Sequence, residues 1–309
     1  MFSGRTPQPV SVISRVRRRL RSYNRLDPLS NTGASSQIGG IHLKLGFIGG
    51  GVMAEAIIAG VRRANLDAEI TVGEPVEERR ATLVSTYGVT GVAENKAAID
   101  GTDLIVLAVK PQQLDGVAEA IGGSLTSDQT VLSILAGVKM HTLGTKLNHG
   151  RLIRVMPNTP AQVGEGMSAW HASPDVPDAV REFASQMLDA LGVAIYMDDE
   201  KYVDMALAVS ASGPAFVYVF MESLIDAGVS LGLPRPMAHT LAQQLIIGSG
   251  VLARETGKHP ADLRNLVTSP GGTTAAGLQV MEEAGFRGTV VKAAVAAWQK
   301  GEELGRGSK

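Results

Sequence analysis

The segment that most restricts the fold is Lys44-Leu-Gly-Phe-Ile48. This short apolar run ends in Gly49-Gly50-Gly51 and continues into Val52-Met-Ala-Glu-Ala-Ile-Ile-Ala-Gly60, which has helical character. A strand that turns through glycines directly into a helix is the opening unit of a parallel α/β sheet. Later runs repeat the theme. Glu69–Val72 reads as a second strand and stops at Gly73-Glu74-Pro75, and Glu77–Tyr87 suits a helix closed by Gly88. Asp103–Val109, Thr130–Ala136 and Leu152–Met156 are continuous β-branched or aliphatic runs. Runs without polar alternation belong to strands buried on both faces, so helices must cover both sides of the sheet. Right-handed crossovers then give a doubly wound, Rossmann-like, mostly parallel sheet.

The pattern changes near residue 198. Pro214–Gly228 and Pro236–Thr256 are apolar on nearly every face, and Gly288–Leu304 is amphipathic. A helix apolar all round must be buried all round. A helical unit of this size has little interior, so contact with a second subunit is the expected cover, although a central helix of a monomeric bundle would also satisfy the pattern. The expected division is 1–42 as a basic disordered leader, 43–197 as a dinucleotide-binding domain, and 198–309 as an all-helical substrate and dimerisation domain.

Composition excludes several function classes. The chain has no cysteine, so disulfides, thiolate metal sites and a cysteine nucleophile are ruled out. Its six histidines show no pair at i, i+3 or i+4 spacing, and no metal site is expected. The net charge of −1 gives no general drive toward nucleic acid or acidic membranes, and no uncharged apolar stretch reaches 18 residues. Residues 1–44 stand apart, with eight basic residues against Asp27 alone. That leader reads either as an organelle-targeting presequence or as a dispensable extension, and the expected location is cytoplasmic with targeting left open.

Two turns carry chemistry. Gly49-x-Gly51-x-x-Ala54 matches the dinucleotide fingerprint, with the strand before it and the helix after it. Gly49 would allow the tight turn, Gly51 would let backbone approach a pyrophosphate, and Ala54 would let helix and strand pack closely. Glu74 stands where an acid accepts hydrogen bonds from a ribose 2′-hydroxyl, whereas Arg79 and Arg80 could offset its repulsion of a 2′-phosphate; NADPH and NADH both remain open. The second turn is Thr268-Ser-Pro-Gly-Gly-Thr-Thr274, where glycines free the backbone and two threonines open a helix. It reads either as an anion site for a compact carboxylate or as a capped corner with Thr273 as N-cap. Asp198-Asp199-Glu200 reads either as a solvated cap or as the lining of a cleft.

Five blocks together resemble the Δ1-pyrroline-5-carboxylate reductase family: Phe47–Ala54, Ala108-Val-Lys-Pro111, Met156-Pro-Asn-Thr-Pro160, Ser210-Ala-Ser-Gly-Pro-Ala215 and Val267–Thr274. Gly285-Phe-Arg287 is similar too, and only the leader lies outside the match. Ala211 departs from the family, which usually carries glycine there. The resemblance implies hydride transfer from NADPH or NADH to a cyclic imine, pyrroline-5-carboxylate, giving L-proline. It implies homodimers that can assemble into decamers. By motif position it places Ile48, Gly49, Gly50, Gly51, Val52 and Met53 on the pyrophosphate. Asn95, Ala108, Val109 and Lys110 fall among the cofactor contacts. Ser269, Gly272, Thr273 and Thr274 fall on the substrate, with Thr274 and Glu200 as the catalytic candidates. A helix N-terminal carboxylate is the competing account of Glu200. Other readings are a hydroxyacid reductase of the same architecture and a non-catalytic dinucleotide sensor. The first would need a lysine on the central helix, and none occurs between Lys201 and Lys258. The second leaves the substrate-type loop without a purpose.

Overall fold

The computed structural model describes residues 42–307. The leader, and the expectation of disorder or targeting attached to it, lie outside the described residues. Eight strands form one sheet in the order β3-β2-β1-β4-β5-β6-β7-β8. They are β1 (Leu43–Ile48), β2 (Ala68–Gly73), β3 (Thr90–Val92), β4 (Leu104–Leu107), β5 (Thr130–Ser133), β6 (Leu152–Met156), β7 (Gly166–Ala172) and β8 (Gly192–Tyr196). Neighbours from β3 through β6 are parallel; β7 runs antiparallel to β6, and β8 parallels β7. The mostly parallel, doubly wound expectation holds.

Helices α1 (Val52–Arg63), α2 (Glu77–Tyr87), α3 (Asn95–Ile99), α4 (Leu114–Ile121), α5 (Met140–Leu147) and α6 (Asp178–Asp189) connect the strands. β4 shows why its sequence has no polar alternation. Leu104 and Val106 pack into a core with Ile57 and Val61 of α1 and Phe183 of α6. Ile105 and Leu107 pack into a second core with Val117 of α4 and Leu143 of α5. Successive strand side chains point to opposite faces, so each face has its own hydrophobic partner.

After β8 come α7 (Lys201–Ala206), a π-helical turn over Leu207–Ala211, α8 (Gly213–Ser230), α9 (Arg235–Thr256), α10 (Pro260–Leu266), α11 (Thr273–Glu283) and α12 (Phe286–Gly307). Two compact units result among the described residues: 42–214 with 292–307, and 215–291. Side-chain bonds tie 198–214 to the first of these units. Arg154 of β6 pairs with Glu200 and Asp204, and Asn158 donates to the Ser210 carbonyl at 3.3 Å. These bonds hold 198–214 to the sheet after the strand pattern has ended.

The unit 215–291 is apolar and open. Tyr218, Val219, Leu241, Leu245, Ile247 and Leu252 are all exposed, and its small core centres on Ile225, Ala238 and Ala242. The helical run Lys201–Ser230 has an 18-residue window of mean hydropathy 1.5, with only 11% of it buried, so by length and composition it could cross a membrane. Seventeen uncharged residues, Met205–Met221, lie inside it.

Candidate active site

The strand order reverses between β1 and β4, and ligands of such sheets bind outside the carboxyl ends at that point. The glycine turn sits there. The Gly49 amide donates to the Gly73 carbonyl at the end of β2, and the Ala108 amide after β4 donates to Ile48. Gly49 has φ +93°, and a β-carbon on it would stand 2.8 Å from the Ala108 carbonyl oxygen and 3.0 Å from Val109. Only glycine accepts both conditions. Gly51 differs: its φ is −66°, and a β-carbon would meet no protein atom within 4 Å. The open space in front of it faces the first turn of α1. There, among the described residues, the Val52, Met53 and Ala54 amides have no acceptor, the first bond being Glu55 to Gly51. Ala54 is fully buried against the sheet. Open space, free amides and a positive helix end together suit a pyrophosphate.

The other cofactor candidates gather on the same edge. Asn95 opens α3 with its side-chain oxygen beside Gly73, where a β-carbon would stand 3.1 Å from it. Lys110 follows Ala108 and Val109, and its amide is held by the Gln113 side chain at 3.0 Å. Glu74 and the two arginines are tied to the glycine turn and its flanks. The Glu74 carboxylate accepts from the Gly50 amide at 2.9 Å and the Val76 amide at 3.0 Å. Arg79 donates to the Gly50 carbonyl at 2.6 Å and pairs with Glu55 at 2.7 Å, while Tyr87 donates to the other oxygen of Glu55. The Arg79 hydrogen bond holds the Glu55 carboxyl below its usual range against the opposing effect of burial. Burial, reinforced by the bond to Glu55, raises the Tyr87 phenol.

The second turn lies in the unit 215–291. Gly271 has φ +69°, and a β-carbon on Gly272 would fall 2.4 Å from the Ser269 hydroxyl. The Gly272 amide donates back to the Ser269 carbonyl, closing the turn, and Thr268 is tied to the Arg264 carbonyl at 2.7 Å. α11 then starts at Thr273 with Gly272 as N-cap and no side-chain cap. The capped-corner account with Thr273 as N-cap therefore fails, because Thr273 is already in the first helical turn. Among the described residues, the Thr273, Thr274 and Ala275 amides and the Ser269, Thr273 and Thr274 hydroxyls have no hydrogen-bond partner. An unspent row of this kind can take a carboxylate.

The acidic cluster splits. Asp199 caps α7, accepting from the Lys201 amide at 2.9 Å; its hydrogen bond with the Lys201 ammonium holds its carboxyl low. Glu200 turns inward, where its Oε1 accepts from Arg154 at 2.8 Å and from the Met140 amide at 2.7 Å. Arg154 is 1% exposed and also pairs with Asp204. Lys139 continues the chain of charges to Glu302 of α12 at 3.3 Å. Lys139, Glu200, Asp204, Trp298 and Glu302 line a cavity of about 360 Å³. Sequence reasoning missed Arg154, Asp204 and Lys139, although an arginine inside the apolar run Leu152–Met156 was a visible signal, since a buried charge requires partners.

The chain is similar to known proteins along most of its length. Residues 200–304 match the family described as pyrroline-5-carboxylate reductase dimerisation, and residues 44–137 match one described as NADP oxidoreductase, coenzyme F420-dependent. A pyrroline-5-carboxylate reductase of Synechocystis sp. is 43% identical over 267 residues, 85% of this chain and 99% of that protein. The chain belongs to the pyrroline-5-carboxylate reductase family. Among solved structures of the family, the Coxiella burnetii enzyme superposes with TM-score 0.78 at 32% identity, covering 86% of this chain and 99% of that one. The Plasmodium falciparum enzyme, with NADP bound, superposes with TM-score 0.77 at 32% identity, covering 86% and 100%. The exposed apolar helices thus belong to a dimerisation domain. Two family blocks also meet in space: Asn158 of Met156–Pro160 reaches Ser210 of the Ser210–Ala215 run. The departure at Ala211 lies in the π-helical turn that also carries Ser210.

Proposed function

We propose that this chain reduces Δ1-pyrroline-5-carboxylate to L-proline with NADPH or NADH, as an oxidoreductase acting on a CH–NH bond. The observation that carries the reading is a pair of amide-presenting turns in a member of this family, one before α1 and one before α11. The dinucleotide, when bound, supplies the hydride. Val52, Met53 and Ala54 amides hold its pyrophosphate, with Asn95, Ala108, Val109 and Lys110 on the flanking edge.

The Thr273, Thr274 and Ala275 amides take the substrate carboxylate, and the Ser269 hydroxyl adds a donor. Clamping that group orients the ring and removes most of its rotational freedom before reaction. The Thr274 hydroxyl hydrogen-bonds the ring nitrogen. A threonine is too weak an acid to give up a proton near neutral pH, so the imine proton comes from solvent. Glu200 has its Oε1 committed to Arg154 and Met140. We therefore give it a positioning role at the start of α7, in preference to charge stabilisation of the iminium.

The 18-residue apolar window in Lys201–Ser230 is covered by a second subunit in this reading, since the matched dimerisation domain spans it, and decamers would form from those dimers. We place the chain in the cytoplasm, with targeting by the basic residues 1–42 as the alternative setting.

Oxidation of NADPH or NADH on addition of pyrroline-5-carboxylate, followed by absorbance, tests the activity; a protein that binds the nucleotide yet leaves it unoxidised would be the sensor. Thr274→Ala should lower kcat/KM by about 1–3 kcal/mol, or ~5–150-fold, with nucleotide affinity unchanged. Unaltered steady-state kinetics in that variant would remove Thr274 from the reaction.

A further inference from the structure

The charged groups around the glycine turn are arranged to discriminate between the two nicotinamide cofactors, and we infer that this chain selects NADH over NADPH through Glu74. The inference rests on the dinucleotide reading of that turn and adds a choice the sequence left open. The two cofactors differ only at the adenine ribose, which carries either a neutral 2′-hydroxyl or a 2′-phosphate dianion. An acid just past the second strand accepts a hydrogen bond from the hydroxyl and repels the phosphate.

Glu74 is fixed in that place. One carboxylate oxygen accepts from the Gly50 amide and the other from the Val76 amide, so the side chain bridges the glycine turn and the β2–α2 turn. Swinging away to admit a dianion would leave both amides without a partner.

The arginines that could compensate each have at least one nitrogen bonded within the chain. Arg79 is held between the Gly50 carbonyl and Glu55, and Glu55 is held in turn by Tyr87. Arg80 donates to the Glu74 carbonyl at 2.7 Å and to the Pro75 carbonyl at 3.3 Å. Its stem covers Gly91 on β3, where an added β-carbon would stand 2.7 Å from it. Glu55, Glu74, Arg79 and Arg80 sum to zero charge, so the turn has no surplus of positive charge for a 2′-phosphate.

The test is binding without substrate, by fluorescence titration of NADH and NADPH into the full-length protein, with thermal denaturation as the control for folding. Wild type should bind NADH at least about tenfold tighter than NADPH. Glu74→Gln keeps the shape and loses the charge, and Glu74→Ser also opens space; each should reduce the NADPH-to-NADH ratio of Kd several-fold. Competition by ADP and by adenosine 2′,5′-bisphosphate should show the same order, which locates the effect at the 2′ position. NADPH bound as tightly as NADH by wild type, or a ratio unchanged in both variants, would overturn the inference and leave the reductase reading standing. Failure to bind either nucleotide would overturn both.

Discussion

Arg154→Ala should destabilise the fold by about 3–5 kcal/mol, the largest loss expected from any single side chain outside the apolar core. Arg154 sits on β6 at 1% exposure, with one guanidinium nitrogen on Glu200 and the other on Asp204. Removing the cation leaves two carboxylates, both largely withdrawn from water, facing each other and a cavity without their counter-charge. Lys139 lies 3.9 Å from Asp204 and is shared with Glu302, so it cannot replace a bidentate partner. Arg154→Lys should recover only part of the loss, because an ammonium is a point charge and cannot present two parallel donors. The triple variant Arg154→Met, Glu200→Gln, Asp204→Asn should recover more than Arg154→Lys, since it neutralises the charges together with the group that paired them. Chemical denaturation monitored by circular dichroism measures all three. A single alanine variant within about 1 kcal/mol of wild type would mean that water reaches these carboxylates more freely than their burial indicates.

The same residue shows where reading the sequence stops. β4 was legible because Leu104–Leu107 is apolar at every position, as burial on both faces demands. β6 is apolar at every position but one, and the exception, Arg154, is a buried charge whose partners no local pattern names. β7 was missed because Gly166–Ala172 mixes Ser168, Trp170 and His171 with small residues and pairs antiparallel to β6. β8 was missed because its residues are only half-buried. Neither strand has the two-sided hydrophobic environment that made the others readable.

At the turns, residue types were visible and partners were not. Gly49, Gly51 and Ala54 can be assigned separate steric duties from their spacing alone; the positive φ of Gly49 and the burial of Ala54 agree with theirs, and the space before Gly51 is open. Glu74 could be placed past β2, but its bond to Gly50 joins residues 24 apart, and Arg79 joins residues 29 and 24 away. Such choices are made by tertiary geometry, and no local pattern encodes them. The boundary expected at 197/198 lies beside the start of the matched dimerisation domain at residue 200. The strand pattern ends there, but the polar links from Arg154 and Asn158 extend the unit to residue 214.

Gly51→Asp should leave folding intact and abolish useful dinucleotide binding. The backbone at Gly51 is in the extended range open to any residue, and no protein atom lies within 4 Å of the position a β-carbon would take. Aspartate is also a favoured N-cap, so α1 should gain a few tenths of a kcal/mol from the exchange. The gain arises because the new carboxylate would bond the Met53 or Ala54 amide, which is the same donor set that faces the open space. The variant would thus carry its own anion in the anion site and repel another. A rise in Kd for NADH of at least about 100-fold is expected, about 2.8 kcal/mol at 1.4 kcal/mol per decade. Gly51→Ala adds bulk without charge and should fall between wild type and aspartate. Gly49→Ala provides the contrast. At φ +93°, with the Ala108 carbonyl 2.8 Å from the added carbon, it should lose stability as well as binding. Thermal denaturation and fluorescence titration on the three variants separate the cases: at Gly49 the glycine is required by the fold, and at Gly51 by whatever occupies the space in front of it. NADH binding to Gly51→Asp within about threefold of wild type would show that this space is not where the pyrophosphate rests.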